Sequence, residues 1–285
     1  MKTRRVKMSL AEYHLLPYNL GWKQEYINGF LVESPRQAIA HATIPVAPRA
    51  AASPAQLRPL LDADERALLP CFRAAFVETI EFCDYTRKRF AESARQSLHH
   101  FFHGPFHRVL PASRVAVHPA KTGKPIGAAL VLAQDEGWAL LDMIFVSPAW
   151  QRQGLATALA ASALTALHEL GGYRTLVSRY YLGNETSAAW HHRFGFVDEP
   201  DLMLAQLRLR AAQQELRRRR ELGPPTSSVL EELAGERDRC QQEVNRLEAA
   251  LKAGREEEAW PWRKWRRKQK DENDEEIAIR NPSAA

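Results

Sequence analysis

The chain has 285 residues, 45% hydrophobic and 26% charged, with 40 Lys and Arg against 34 Asp and Glu for a formal net charge of +6. Such fractions belong to a globular protein with a sizeable core and exclude wholesale disorder and a fibrous fold, while so mild a charge permits anionic ligands without demanding nucleic acid. No stretch approaches the roughly 18 consecutive apolar residues of a membrane helix, and no apolar signal run follows the basic start (Lys2, Arg4, Arg5, Lys7), so a cytoplasmic protein is expected. Cys71, Cys83 and Cys240 are too scattered for a disulfide framework or a metal knuckle.

Residues 23–27 and 30–33 are strand formers flanking Asn28-Gly29, which predicts a hairpin. A third extended run, residues 38–46, would complete an N-terminal β-meander over residues 1–48. The Pro- and Ala-rich sequence that follows predicts a linker, 49–55. From 56 to 199 strand and helix patterns alternate. Gln56-Leu57-Arg58 reads as a short strand. Asp62 or Asp64 caps a helix carrying Leu68, Leu69, Phe72 and Phe76 at three- and four-residue spacing, and a second helix covers residues 85–102. Residues 113–118, 126–133 and 139–146 are extended runs joined by short turns, an antiparallel meander. A helix over 154–170 ends at Gly171-Gly172. A strand, Thr175–Tyr181, and a helix, residues 185–193, follow.

Between 200 and 254, Leu202, Ala205, Leu209, Ala212 and Leu216 alternate spacings of three and four. So do Leu230, Leu233, Arg237, Cys240, Val244, Leu247 and Leu251, a heptad-like seam with an arginine at one core position. Gly223-Pro224-Pro225 interrupts the two, and Ser228 with Glu231 makes a capping box, so an antiparallel helical hairpin of coiled-coil character is expected. Residues 255–285, with Trp260, Trp262 and Trp265 among basic and then acidic runs, read as a charged, disordered tail. The fold class is α/β (α+β): a mixed, mostly antiparallel sheet flanked by helices, with the meander in front and the hairpin behind.

The chemistry is expected where residues 141–148 run into Gln151-Arg152-Gln153-Gly154-Leu155-Ala156 and an alanine-rich helix. Backbone N–H groups at a helix start after a strand end attract an anion. Gly154 keeps the approach to that backbone clear, and Ala156 keeps the next exposed position small. Val146-x-Pro148 followed by Gln151-x-x-Gly154-x-Ala156 resembles the signature of the GNAT superfamily of acyl-CoA-dependent N-acyltransferases. Asn184, then Trp190-His191-His192-Arg193-Phe194-Gly195-Phe196, is similar to that family's helix-to-strand motif. The resemblance spans about residues 56–197, and the absence of Gly-Lys-Ser/Thr excludes a Walker-type loop.

What the resemblance implies is a GNAT-like domain over 56–199 that transfers an acetyl group from acetyl-CoA, its cosubstrate, to an amine of an unidentified acceptor. The diphosphate would sit on N–H groups of Gln153, Gly154 and Ala156, in a loop completed by Gln151, Arg152 and Leu155. The pantetheine amides would pair with the backbone of Ile144 and Val146, and the Val146 N–H would face the oxyanion. Asn184 either contacts the ligand or caps the helix behind it. His191 stands where the family usually has a tyrosine acid, and either donates a proton or packs on the cofactor. Asp142 shares a face with Ile144 by period-two alternation, and is either a base acting through water or a solvated strand-end carboxylate. Glu78, Glu81 and Asp84 recur every three residues near the end of the first helix, either to attract a cationic amine or to face water. His99, His100, His103 and His107, with neither Cys partners nor an HExxH pattern, are assigned to loops and surface, and no metal is expected.

A competing reading is a catalytically idle CoA-binding module that scaffolds an assembly, or self-associates, through the C-terminal helices. Nucleic-acid binding through Arg217 to Arg220 and the tail is disfavoured, because the acidic run screens it, and no membrane partner is expected. After the Gly-Phe pair the family normally adds two strands, whereas Pro200-Asp201 leads here into a helix. Strand Thr175–Tyr181 would then lack a neighbour, and the N-terminal meander is expected to supply one.

Overall fold

The computed structural model describes residues 4–36, 38–104, 108–120, 123–134, 137–222 and 227–259. In chain order the elements are β1 (Arg4–Lys7), α1 (Leu10–His14), β2 (Trp22–Ile27), β3 (Phe30–Pro35), β4 (Ile39–Pro45), β5 (Gln56–Pro59), α2 (Asp64–Phe76), α3 (Arg87–His103), β6 (Arg108–Val109), β7 (Arg114–Val117), β8 (Pro125–Ala133), β9 (Trp138–Val146), α4 (Leu155–Leu170), β10 (Thr175–Tyr181), α5 (Glu185–Phe194), β11 (Val197–Asp198), α6 (Leu202–Glu221), α7 (Ser227–Lys252) and α8 (Glu256–Ala259). They form two compact units, His41–Val197 and Met1–Ala40 with Asp198–Ala285. Among the described residues no helix is long and apolar enough to cross a membrane.

The first unit is built on an eight-stranded sheet of order β11-β4-β10-β9-β8-β7-β5, with β6 also on β8. The β5–β7, β6–β8, β7–β8 and β8–β9 pairs are antiparallel, and β9–β10 is parallel. Central β8, Pro-Ile-Gly-Ala-Ala-Leu-Val-Leu-Ala, is buried at every position, as expected of a strand covered on both faces. Ala128, Leu130 and Leu132 point to one face, where Leu68 and Phe72 of α2 and Leu98 and Phe101 of α3 complete a core. Gly127 points to the other face, where α4 comes so close that a Cβ would meet Phe145 O at 3.0 Å and Leu159 Cδ1 at 3.2 Å. The many alanines of α4 permit that approach.

The third N-terminal run departs from the expected meander. β2 and β3 pair through a two-residue turn in which Asn28 (φ 49°) and Gly29 (φ 81°) are both left-handed, and β1, unforeseen, adds to β3. β4 joins the other sheet instead, between β10 and the two-residue β11. Its Ala40, Ala42 and Ile44 are buried alternately, and the Val46 N–H donates to Arg174 O at 2.9 Å. The backbone of the expected linker is then pinned down. Arg49 exchanges hydrogen bonds with the Thr165 hydroxyl of α4 at 3.1 Å each way, and its guanidinium donates to Phe194 O while lying 4.7 Å from the Phe194 ring centroid.

In the second unit α6 and α7 form the antiparallel hairpin. Leu202, Ala205 and Leu209 near the start of α6 pack on Val244 and Leu247 near the end of α7, with Cys240 and Leu251 alongside. The Asp201 carboxylate caps α6 by accepting from the Leu204 N–H at 2.8 Å. α7 begins at Ser227, which puts Ser228 and Glu231 of the expected capping box in its first turns. Gly223-Pro224-Pro225 and the tail from Trp260 lie outside the described residues.

At the start of α2 neither expected aspartate caps the helix; the N-cap is Ala63. Asp64 is buried and accepts two hydrogen bonds from Arg58 of β5, at 2.6 and 2.7 Å, and one from the Leu61 N–H at 2.9 Å. Burial by itself pushes the Asp64 carboxyl up, but the Arg58 and Leu61 donors outweigh it and hold it below the usual carboxylate range. A depressed carboxyl stabilises the fold above its unfolded pKa of about 4 and loses that contribution as pH falls through the lower folded value. Asp64→Asn should therefore cost about 2–3 kcal/mol at neutral pH, with the deficit shrinking toward zero as both proteins are acidified. Urea denaturation of both proteins over a pH series measures it, and a deficit independent of pH would exclude the ion pair as its source.

Candidate active site

The site begins with a change of partner along β9. Its parallel pairing with β10 runs from Trp138–Thr175 to Leu141–Ser178 and stops, although both strands continue. At that point the β8–β9 register steps from Val131–Leu141 to Leu130–Met143, which leaves Asp142 as an extra residue. A bulge of this kind bends a strand and increases its twist, which turns β9 away from β10. Beyond it the Ser147 N–H donates to Ile126 O of the β8 chain at 2.8 Å. Backbone polar groups alternate sides along a strand, so those of Val146 and Ile144 point away from β8, into the gap β10 has vacated. The Val146 carbonyl accepts from Gln151 Nε2 at 3.0 Å, as that direction requires.

The gap leads to the start of α4. Gln151, Arg152, Gln153 and Gly154 are exposed, with Arg152 (φ 59°) and Gly154 (φ 82°) both left-handed. Gly154 is the N-cap, no side chain caps the helix, and a Cβ at Gly154 would meet nothing within 4 Å. The glycine is thus demanded by its backbone angle and not by crowding, and no side chain caps the N–H groups of the first turn, which includes Leu155 and Ala156. A helix start without a side-chain cap, beside strand backbone that faces away from β8, fits a ligand carrying a diphosphate and a chain of amides.

The catalytic side chains fare differently. His191 is only 1% exposed, within a ring cluster of Tyr180, Trp190 and Phe196. Its Nδ1 lies 2.8 Å from Ser187 O, which can only accept, so Nδ1 donates there, and its Nε2 shares a 2.9 Å hydrogen bond with the Ser178 hydroxyl. Both ring nitrogens of His191 are thus engaged and the ring is enclosed. Asp142 also departs from expectation, because the bulge interrupts the alternation that paired it with Ile144. Its carboxylate takes a 2.9 Å ion pair from Arg179, so that the first residues past the last β9–β10 pair bridge the mouth of the gap.

Asn184 caps α5 with its Oδ1 on the Ser187 N–H, at 3.0 Å, and donates through Nδ2 to Glu81 Oε1 at 2.8 Å. The helical stripe read from Glu78, Glu81 and Asp84 is absent, since α2 ends at Phe76 and Glu81 lies in a separate 3-10 turn, Ile80–Phe82. Among the described residues Glu81 Oε2 is buried without a hydrogen-bond partner. Tyr181, the last residue of β10, is half-buried; burial, then the negative charge of Glu81, raises its hydroxyl pKa against the influence of Arg179. Sequence reading passed over Tyr181, and only its place at the end of a strand could have signalled it. Cys71 is buried, and desolvation pushes its thiol up to about 12, so it is no nucleophile.

Residues 74–196 match the model of the acetyltransferase (GNAT) family. These residues form a GNAT-family acetyltransferase domain. Solved structures similar to the chain include a GCN5-related N-acetyltransferase from Sphaerobacter thermophilus, at 20% identity over 56% of this chain and 48% of that one, with a TM-score of 0.42. Others are the ribosomal-protein-S18-alanine N-acetyltransferase of Escherichia coli (22%, 50% and 77%, 0.35) and an Escherichia coli GNAT family N-acetyltransferase in complex with CoA (23%, 52% and 72%, 0.38). The chain spans about half the length of the first of these, 48%. No curated protein matches it. The matched residues run from α2 to Phe196 and include the α4 start and the buried His191. His191→Ala should accordingly lower the unfolding free energy by about 2–4 kcal/mol through a cavity and an orphaned Ser178 hydroxyl. Urea denaturation checks this, and a loss below about 0.5 kcal/mol would overturn the packing role.

Proposed function

We propose that the GNAT domain is an N-acetyltransferase that uses acetyl-CoA, and that its acceptor is an amine received as a cation beside Glu81. The observation that carries the reading is the continuity of two sets of backbone groups, at Ile144 and Val146 in the gap and at Gln153, Gly154 and Ala156 at the α4 start. Acetyl-CoA, when bound, supplies an activated acetyl thioester. The α4 start would hold its diphosphate and the β9 backbone its amides, with Gln151, Arg152 and Leu155 shaping the loop. The Val146 N–H would donate to the oxygen that gains negative charge as the amine attacks.

Glu81 supports the choice of a cationic acceptor. A buried carboxylate oxygen without a donor is costly, and an ammonium or its N–H groups would relieve it. Asn184 orients that carboxylate and does not meet the cosubstrate. In this reading the bound ammonium gives up a proton to water before its nitrogen attacks the thioester carbon, and Tyr181, whose raised pKa keeps it protonated, gives its proton to the departing CoA thiolate, in place of His191. The Asp142–Arg179 pair fixes the two strand ends across the gap.

A thiol-release assay with acetyl-CoA and a panel of amines tests the reading directly. Turnover confined to cationic amines is expected, whereas tight acetyl-CoA binding without turnover on any amine would favour an idle module. Gly154→Glu should raise the acetyl-CoA dissociation constant by at least about tenfold in a folded protein, because the carboxylate would stand before the N–H groups. Calorimetry showing unchanged affinity would sink the α4 assignment. Glu81→Gln should raise the amine KM about tenfold and leave that of acetyl-CoA alone, whereas Tyr181→Phe should lower kcat about 10- to 100-fold. Equal effects of the two substitutions on both parameters would exclude this division of roles.

A further inference from the structure

A cluster remote from the mechanism above brings together Glu65 in the first turn of α2 and His99 and His103 at the end of α3. The histidines are four residues apart on one helix and therefore share a face. Their ring centroids are 4.6 Å apart. The Glu65 carboxylate lies between them, with Oε1 3.2 Å from His99 Nδ1 and Oε2 2.9 Å from His103 Nε2. One donor atom from each of the three lies within 4.8 Å of the others. From spacing along the chain the histidines read as loop and surface residues; the structure puts His99, His100 and His103 on a helix, while His107 lies outside the described residues. The carboxylate comes from 34 residues upstream, which is why sequence spacing alone does not reveal it.

The donor set is informative. A tetrahedral ion with bonds of about 2.0–2.1 Å requires donors roughly 3.3 Å apart, and both imidazole–carboxylate distances fall near that. Two imidazoles and one carboxylate are the ligands of a late first-row divalent ion and too few oxygens for Ca²⁺ or Mg²⁺. The side chains are 68%, 53% and 27% exposed for His99, His103 and Glu65, so an ion can enter without rearrangement of the core. Their backbones are nonetheless fixed. Glu65 follows the buried Asp64 and its pair with Arg58, and α2 and α3 share a core through Leu68, Phe72, Leu98 and Phe101.

We infer that Glu65, His99 and His103 form a binding site for a divalent transition ion of the Zn²⁺ class, which staples the start of α2 to the end of α3. Water completes the fourth position. An ion held only by the folded arrangement of two helices stabilises that arrangement by mass action.

The test uses the full chain, stripped of metal with a chelator and dialysed, and titrated with ZnCl₂ by calorimetry and with Co²⁺ by visible absorption. One equivalent should bind, Co²⁺ should show tetrahedral bands, and Zn²⁺ at 100 times its dissociation constant should raise the thermal midpoint by about 5–10 °C. His99→Ala, His103→Ala and Glu65→Gln should each weaken binding at least about tenfold, whereas His100→Ala, one position round the helix, should not. In the wild-type chain Zn²⁺ should protect His99 and His103 from diethylpyrocarbonate, read by mass spectrometry, which locates the ion without any variant. No binding in the wild type, binding undiminished in His99→Ala/His103→Ala, or protection of other histidines in place of these two would each overturn the site.

Discussion

β9 has a hydrogen-bonding partner on one side along nearly its whole length and on the other for only four residue pairs, Thr175–Trp138 to Ser178–Leu141. Unsatisfied strand backbone inside a protein is costly, so an interruption in the middle of a sheet persists only if something else holds the flanking strands apart. On one side β8 does so, buried at every position and backed by α4 through the close approach at Gly127. At the break the bulge at Asp142 turns β9, and the Asp142–Arg179 ion pair spans the mouth. The gap is therefore a built feature of the sheet, and a ligand that brings its own amides meets groups already oriented to receive them.

Holding β10 in place is the other half of that requirement. After Phe196 the chain offers only the two residues of β11 before α6 begins, so the far side of β10 is taken by β4 from the front of the chain. The strand itself was legible, because Ala40, Ala42 and Ile44 alternate with polar neighbours as a half-buried strand must. Its partner was only partly so. The need of β10 for a neighbour followed from the helical pattern after Asp201, but local sequence also allowed β4 to pair with β3, and period-two alternation does not say which strand a given face will meet. β1 escaped notice because Arg-Arg-Val-Lys, exposed at every position, carries no alternation at all.

The same distinction runs through the site. The α4 loop was legible because backbone geometry writes itself into sequence: a left-handed N-cap selects glycine, and the uncapped turn follows a strand directly. His191 stands at its motif position, yet a motif offset says nothing about enclosure, and the rings around it come from β10 (Tyr180), from α5 itself (Trp190) and from the connection after α5 (Phe196). Asp142 was misjudged for a different reason. A bulge adds one residue to one strand, and nothing in Leu-Leu-Asp-Met-Ile announces where the extra residue falls. Glu81 belongs to a stripe by spacing alone, but α2 stops five residues earlier, and the partner of its Oε1 is the Asn184 amide, 103 residues away.

In the proposed function, recognition is divided between two kinds of group. The cosubstrate side is backbone, which tolerates drift in side chains as long as register and φ angles hold. The acceptor side is made of side chains, from the 3-10 turn at Ile80–Phe82, the end of β10 and the cap of α5, and can change without disturbing the sheet. Asn184 joins the two. One end of its amide starts α5 and the other holds Glu81, while α5 in turn reaches α4 through Trp190 Nε1 on Thr157 Oγ1 at 3.3 Å. Thr157 stands in the first turn of α4, beside the uncapped N–H groups. A shift of the Glu81 carboxylate would thus be opposed by a short chain of hydrogen bonds that ends in the first turn of α4, so that under the proposed function α5 would align the two halves of the site.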